Sequence, residues 1–191
     1  MSSPPSPFVA GHDARLLEDV RARIRDVPDF PKPGILFKDI TPVLADPALF
    51  GRVVEAMAAP FRGLGIERVV AVESRGFLLG APLALSLHAG FAPARKPGKL
   101  PWRTRTERYA LEYGEDGLQL HEDAVAPGAR VLIVDDLLAT GGTAAATAKL
   151  VQALGGEVVG FSFLIALDFL PGRERLGRDK VCALLSYGGT G

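Results

Sequence analysis

Apolar residues recur along the chain with two periods. Leu16, Val20 and Ile24 fall four apart among Arg15, Glu18, Arg21 and Arg23, which predicts an amphipathic helix over residues 13–25 with Asp13 as its N-cap. Leu49, Phe50, Val53, Val54, Met57, Ala58 and Phe61 mark a second helix, closed by a turn at Gly63 and Gly65. From there short, wholly apolar runs alternate with helical patterns. Strands are expected over 68–72, 91–95, 130–134, 158–167 and 181–184, and helices over 77–87 and 143–154. Strands apolar on both faces belong to covered sheets, so the expected fold class is α/β: a mostly parallel sheet flanked by helices.

Two segments interrupt the alternation. Phe30-Pro-Lys-Pro-Gly-Ile-Leu-Phe-Lys-Asp-Ile-Thr-Pro42 carries three prolines and a glycine among apolar residues, which predicts an ordered loop lying against the body of the protein. Residues 96–123 hold charges, glycines and two short β-like runs around Gly114-Glu-Asp-Gly117, which predicts a protruding loop and hairpin.

Composition narrows the class. The chain has 191 residues, 48% of them hydrophobic, enough for a single domain with a sizeable core over residues 11–191. The Ser/Pro-rich residues 1–10 read as a disordered tail. Lys plus Arg number 22 and Asp plus Glu number 22, so the formal net charge is 22 − 22 = 0. No global field is available to hold nucleic acid or an anionic membrane, and any anion must be bound by a local site. The lone Cys182 forms no internal disulfide, and His12, His88 and His121 lack the spacing of a zinc site. No apolar run approaches the ~20 residues of a membrane helix, and the first residues lack a signal peptide's basic and apolar blocks, so a cytoplasmic protein is expected.

The candidate chemistry centres on Ala129-Arg-Val-Leu-Ile-Val-Asp-Asp-Leu-Leu-Ala-Thr-Gly-Gly-Thr143. A buried strand ends in two carboxylates, and a small loop then opens a helix. Gly141 and Gly142 let backbone amides approach an anion, Thr140 and Thr143 add hydroxyls, and the helix contributes free N–H groups and its positive end. Asp135 and Asp136 would repel a phosphate but can accept hydrogen bonds from ribose hydroxyls, so the string describes a site for a sugar phosphate. No Gly-x-x-x-x-Gly-Lys-Ser/Thr string occurs, which excludes a P-loop ATPase.

Residues 131–143 resemble the phosphoribosyl pyrophosphate (PRPP) signature of the type I phosphoribosyltransferases. Residues 30–42, Glu73-Ser-Arg-Gly-Phe77, Arg95-Lys-Pro-Gly-Lys-Leu-Pro101 and Leu111-Glu-Tyr-Gly114 stand in the order and at about the spacing of the adenine phosphoribosyltransferases, so the resemblance spans about residues 13–175. It implies a purine salvage enzyme that uses Mg²⁺, held mainly through substrate oxygens and water, to transfer 5-phosphoribose from PRPP to adenine, giving AMP and pyrophosphate. Ala139 stands where the 6-oxopurine enzymes carry an aspartate facing the base, which favours adenine over hypoxanthine or guanine. The resemblance assigns Arg75, Arg95, Lys96 and Lys99 to pyrophosphate, and Asp135, Asp136, Ala139, Thr140, Gly141, Gly142 and Thr143 to the phosphoribosyl part. It implies a hood over about residues 28–42, with Phe37 stacking on adenine and the Leu36 and Lys38 backbone reading its amino edge. Leu167 would cover the other face of the base, beside Ala166, where several relatives carry a polar or acidic residue. Residues 98–123 would form a lid bearing Glu112, the acid or base near purine N7, and Tyr113, which helps close the site. A homodimer is implied. A related purine base in place of adenine, or a PRPP sensor that binds DNA, would share this pocket; zero net charge, no spare DNA-binding domain and intact Glu112 and Tyr113 weigh against the sensor.

Overall fold

The computed structural model describes residues 13–110, 115–177 and 180–188. Asp13 caps helix α1 (Ala14–Arg23) by accepting a hydrogen bond from the Arg15 amide, and Leu16 and Val20 are its buried stripe. The helix stops two residues earlier than its apolar spacing predicts, because Ile24 turns to extended geometry and leads into strand β1 (Arg25–Pro28).

The proline-rich segment is not wholly loop. Leu36–Asp39 forms strand β2 and pairs antiparallel with β1, Val27 opposite Phe37. Pro31, Pro33 and Gly34 lie in the intervening turn, where Asp29 accepts the Gly34 amide at 2.7 Å, and Pro42 sits in the first turn of the helix that follows, leaving residues with side chains suited to a strand free to pair. The segment ends in the short helix α2 (Thr41–Leu44). Helix α3 (Pro47–Ala58), capped by Asp46, follows and runs into a 3₁₀ turn at Ala59–Phe61.

Strand β3 (Arg68–Val72), helix α4 (Arg75–Ser86) and strand β4 (Gly90–Ala94) match the alternation. Strands β5 (Thr104–Ala110) and β6 (Glu115–His121) form the expected hairpin, with two corrections. Glu115, Asp116 and Gly117 lie within β6, Gly117 opposite Arg108, so these three residues are strand and not turn; Leu118 and Leu120 are buried, and their burial sets the register over the local Asp-Gly turn chemistry. For the same reason the hairpin does not simply protrude: its base belongs to the core.

Strand β7 (Arg130–Leu138) continues four residues past its expected end, paired with β8 (Glu157–Leu167) as far as Leu138 opposite Ala166. The acidic pair therefore lies inside the strand; sheet pairing overrides the poor strand propensity of aspartate. Helix α5 (Gly142–Ala153) crosses back between them. The short helix α6 (Gly172–Arg175) and strand β9 (Val181–Tyr187) complete the chain.

The five-stranded sheet has the order β4-β3-β7-β8-β9, every pairing parallel. Alternate residues face opposite layers. Val69, Ala71, Leu132 and Val134 pack against α1, α3 and α4, whereas Val70, Val72, Val131 and Ile133 pack against α5 and the hairpin base. The chain thus reverses its direction of winding between β3 and β7. In open α/β sheets a crevice opens at this switch point beyond the carboxyl ends of the strands, and ligands bind there.

Candidate functional site

A cavity of about 410 Å³ opens at that position, lined by Glu73, Arg75, Lys96, Tyr109, Asp136 and Thr143 among others. A smaller one of about 80 Å³ adjoins it within the loop from Ala139 to Thr143. The two share Asp135, Leu137 and Thr143, so a ligand with an anionic end in the small cavity continues naturally into the larger one.

The small cavity is shaped by Gly141, which caps α5 with φ +75, a left-handed geometry that L side chains disfavour. This turns the loop so that the first amides of α5 face outward, without a partner from their own helix. Thr143 adds a hydroxyl, which lies 3.3 Å from the Tyr109 hydroxyl. Tyr109 was not among the residues singled out from sequence. The hairpin brings it over α5, supported by the Lys149–Glu107 ion pair at 3.1 Å, and burial pushes its phenol pKa up.

Two arginines, Arg75 in the wall of the larger cavity and Arg95 next to its wall residue Glu73, face carboxylates. Arg75 Nε donates to Asp136 Oδ2 at 2.5 Å, and Asp136 is only 5% exposed. Arg95 Nε donates to Glu73 at 3.0 Å, while its Nη1 donates to the Lys99 carbonyl at 3.1 Å. Lys96 pairs with Asp116 at 3.3 Å, and Lys99 is exposed. The Asp135 carboxylate accepts the Asp136 amide at 2.9 Å. Burial first, and then the neighbouring Asp136 charge, hold the Asp135 pKa well above its ordinary value. Gly76 explains how α4 can start so close: a Cβ there would sit 2.8 Å from Asp135 Oδ1 and 3.1 Å from the Val134 carbonyl oxygen.

The β1–β2 hairpin meets the wall of this cavity at Arg75. The Phe37 ring meets Phe30 edge-on at 5.0 Å, and the Arg75 guanidinium lies 4.7 Å from its centre. Leu36 is exposed. Lys38 pairs with Asp26 at 2.6 Å and lies 4.3 Å from the centre of the Tyr187 ring. Tyr187 is in register with Leu167, so the hairpin meets the end of β9, beside the end of β8. Ala166 points to the opposite layer of the sheet, among the residues packed under α5. Glu112 and Tyr113 lie outside the described residues.

Among the described residues, the sites expected from sequence therefore come from five places: the end of β3, β7 with its loop, the strand end and loop after β4, the end of β8, and the β1–β2 hairpin. Besides Tyr109, sequence reasoning missed Asp116, which lines the larger cavity, and Arg175, which stands beside Gly142. No local pattern marks either one.

Comparison with known proteins gives a consistent result. A family model described as phosphoribosyl transferase domain matches residues 44–181. The chain is 67% identical, over 96% of its length and 99% of the relative's, to an adenine phosphoribosyltransferase of Myxococcus xanthus. It is similar, with a TM-score of 0.88 and 55% identity over 92% of this chain and 100% of the other, to the crystal structure of adenine phosphoribosyltransferase from Rhodothermus marinus. It is also similar to the Saccharomyces cerevisiae adenine phosphoribosyltransferase complexed with an imino-altritol bisphosphate and adenine, with a TM-score of 0.85 and 39% identity over 91% and 100% of the two chains.

Proposed function

The chain belongs to the phosphoribosyltransferase family, and on that premise we propose that it transfers 5-phosphoribose from PRPP to N9 of adenine, forming AMP and releasing pyrophosphate. One observation carries this reading: a phosphate-sized cavity at a helix N-terminus opens into a larger cavity with cationic and acidic walls, and an aromatic side chain, Phe37, packs on Arg75 in its wall.

The roles are those the family resemblance implies, and the geometry supports them where the residues are described. The amides and hydroxyls of Thr140, Gly141, Gly142 and Thr143, beside Ala139, take the 5′-phosphate. Asp135 and Asp136 accept the ribose hydroxyls and stabilise the positive charge that develops at C1′ as the bond to pyrophosphate breaks. Arg75, Arg95, Lys96 and Lys99 neutralise the leaving pyrophosphate, the guanidinium fork being well matched to its oxygens. Phe37 stacks on adenine, Leu36 and Lys38 present backbone groups to its edge, and Leu167 covers the far side. Arg75 now contacts both Asp136 and Phe37, so substrate entry exchanges these contacts for ribose, pyrophosphate and base. The hairpin closes over the site, excluding water that would otherwise consume PRPP; Glu112 handles the purine proton and Tyr113 completes the closure.

Magnesium fits this site as an ion held by the substrate. Among the described residues no group of three or more His, Cys, Asp or Glu could hold a metal, and Asp136 and Glu73 already have arginine partners. Asp135 and Asp136 would hold it through its water shell, as suits an ion that dehydrates reluctantly. When bound it withdraws charge from the departing pyrophosphate.

A homodimer is supported by the outer face of α4, where Leu78 is 50% and Leu85 78% exposed, with Phe91 nearby also exposed. A cytoplasmic location suits a chain with one cysteine; among the described residues no helix is long and apolar enough to cross a membrane.

The test is to incubate the protein with PRPP, Mg²⁺ and each purine base in turn and identify the nucleotide formed. AMP from adenine is expected, with adenine outcompeting the other bases. A protein that binds PRPP yet forms no nucleotide from any base would overturn the enzyme reading in favour of a sensor.

A further inference from the structure

The short helix α6 is wedged against the phosphate loop by backbone contact on both sides. A Cβ on Gly141 would lie 2.7 Å from the Gly172 carbonyl oxygen, and one on Gly172 would collide with the Ala139 carbonyl oxygen. Leu176, immediately after α6, is buried in the core cluster on the α5 side, which anchors the turn. One turn beyond Gly172, the Arg175 side chain leans back over the loop. Its Nη1 lies 3.1 Å from the point a Cβ on Gly142 would occupy, and the Tyr109 ring approaches the same point at 3.7 Å.

The charge of Arg175 is uncommitted. Arg75, Arg95, Lys96 and Lys149 each face a carboxylate, whereas among the described residues none pairs with Arg175. A guanidinium without a partner, fixed beside glycine amides that lack acceptors, lacks one thing: an anion with several oxygens, which it can grip through two parallel hydrogen bonds. The loop amides alone bind through partial charges; Arg175 adds a full one.

Resting on the phosphoribosyl reading above, we propose that Arg175 is a ligand of the 5′-phosphate and sets the site's preference for phosphorylated over unphosphorylated ribose. It reaches the cradle from α6, after β8, so the phosphate is held from two separate segments of chain. The wedge of Gly172 against Ala139 and Gly141 keeps the two in register.

The test uses calorimetric titration of the purified protein with AMP, ribose 5-phosphate, adenosine and pyrophosphate. Losing a charge-assisted hydrogen-bond pair should weaken AMP and ribose 5-phosphate binding by roughly ten- to a hundred-fold in Arg175→Gln, with pyrophosphate and adenosine affinities unchanged. Arg175→Lys, which keeps the charge but loses the fork, should fall between. Because Arg175 is exposed, both variants should melt with the unaltered chain. Unchanged AMP affinity in Arg175→Gln overturns the assignment, and so does an equal loss for pyrophosphate, since that marks a general charge effect. An unaltered chain that binds neither AMP nor ribose 5-phosphate overturns the phosphoribosyl reading itself, and Arg175's role with it.

Discussion

Gly141 and Gly142 are neighbours in the phosphate loop, yet replacing each by alanine should have opposite consequences. Gly141 has φ +75, a conformation that costs an L-residue about 1–2 kcal/mol. The added methyl would also lie 2.7 Å from the Gly172 carbonyl oxygen and 3.1 Å from its Cα. Gly172 itself packs directly against the Ala139 carbonyl of the same loop, and such overpacking costs about 1–3 kcal/mol. The sum, about 2–5 kcal/mol, should lower the melting temperature by roughly 5–15 °C in a chain of this size. At Gly142 the backbone is already helical, and the nearest atom to a new methyl is the flexible tip of Arg175 at 3.1 Å. Gly142→Ala should therefore melt close to the unaltered chain, helped by alanine's higher helix propensity. Its AMP affinity should fall tenfold or more, because the methyl displaces Arg175 and crowds a cavity of only about 80 Å³. Thermal unfolding and AMP titration of the two variants separate these effects. If Gly141→Ala melts within 2 °C of the unaltered chain, or Gly142→Ala loses as much stability as Gly141→Ala, the backbone wedge between the loop and α6 is wrong.

Two further outcomes test the acidic strand and the lid. The folded Asp135 carboxyl titrates above its ordinary 3.8, so its contribution to stability is whole below that value and is lost as pH rises through the folded pKa. Asp135→Asn should accordingly stabilise the ligand-free, magnesium-free protein near neutral pH, with the gain vanishing in acid; a gain that persists below pH 3.8 would contradict the desolvation argument. Glu112→Gln should lower turnover about 10²–10⁴-fold if the carboxylate handles the purine proton, with PRPP affinity nearly intact. A loss in PRPP binding alone would instead make Glu112 a closure residue.

The fold class was legible because the strands of a covered sheet announce themselves as unbroken apolar runs: Arg68–Val72 begins and ends where its pattern predicts. The strand, loop and helix start that we read as the phosphate cradle were equally legible, since they are contiguous in the chain between residues 135 and 143, whereas Arg175 comes from α6. Other features depend on partners that no local window contains. The prolines concealed Leu36–Asp39 as a strand until β1 supplied its hydrogen bonds. The acidic pair looked like the end of β7 until β8 extended it. Ala166 and Leu167 are adjacent in sequence but face opposite layers, a consequence of strand alternation that could have been read from the sequence.

What the sequence by itself determined was most of the helices and of the strands in the parallel sheet, together with the strand–loop–helix string over residues 129–143, because those follow from spacing and residue type within a few turns of chain. Only the tertiary structure decided what meets at the site. Arg75 pairs with Asp136 across 61 positions because β3 and β7 are neighbours in the sheet. Phe37 is brought to Arg75 by a hairpin, and Arg175 reaches Gly142 because two glycine backbones, with no side chains to keep them apart, pack in direct contact.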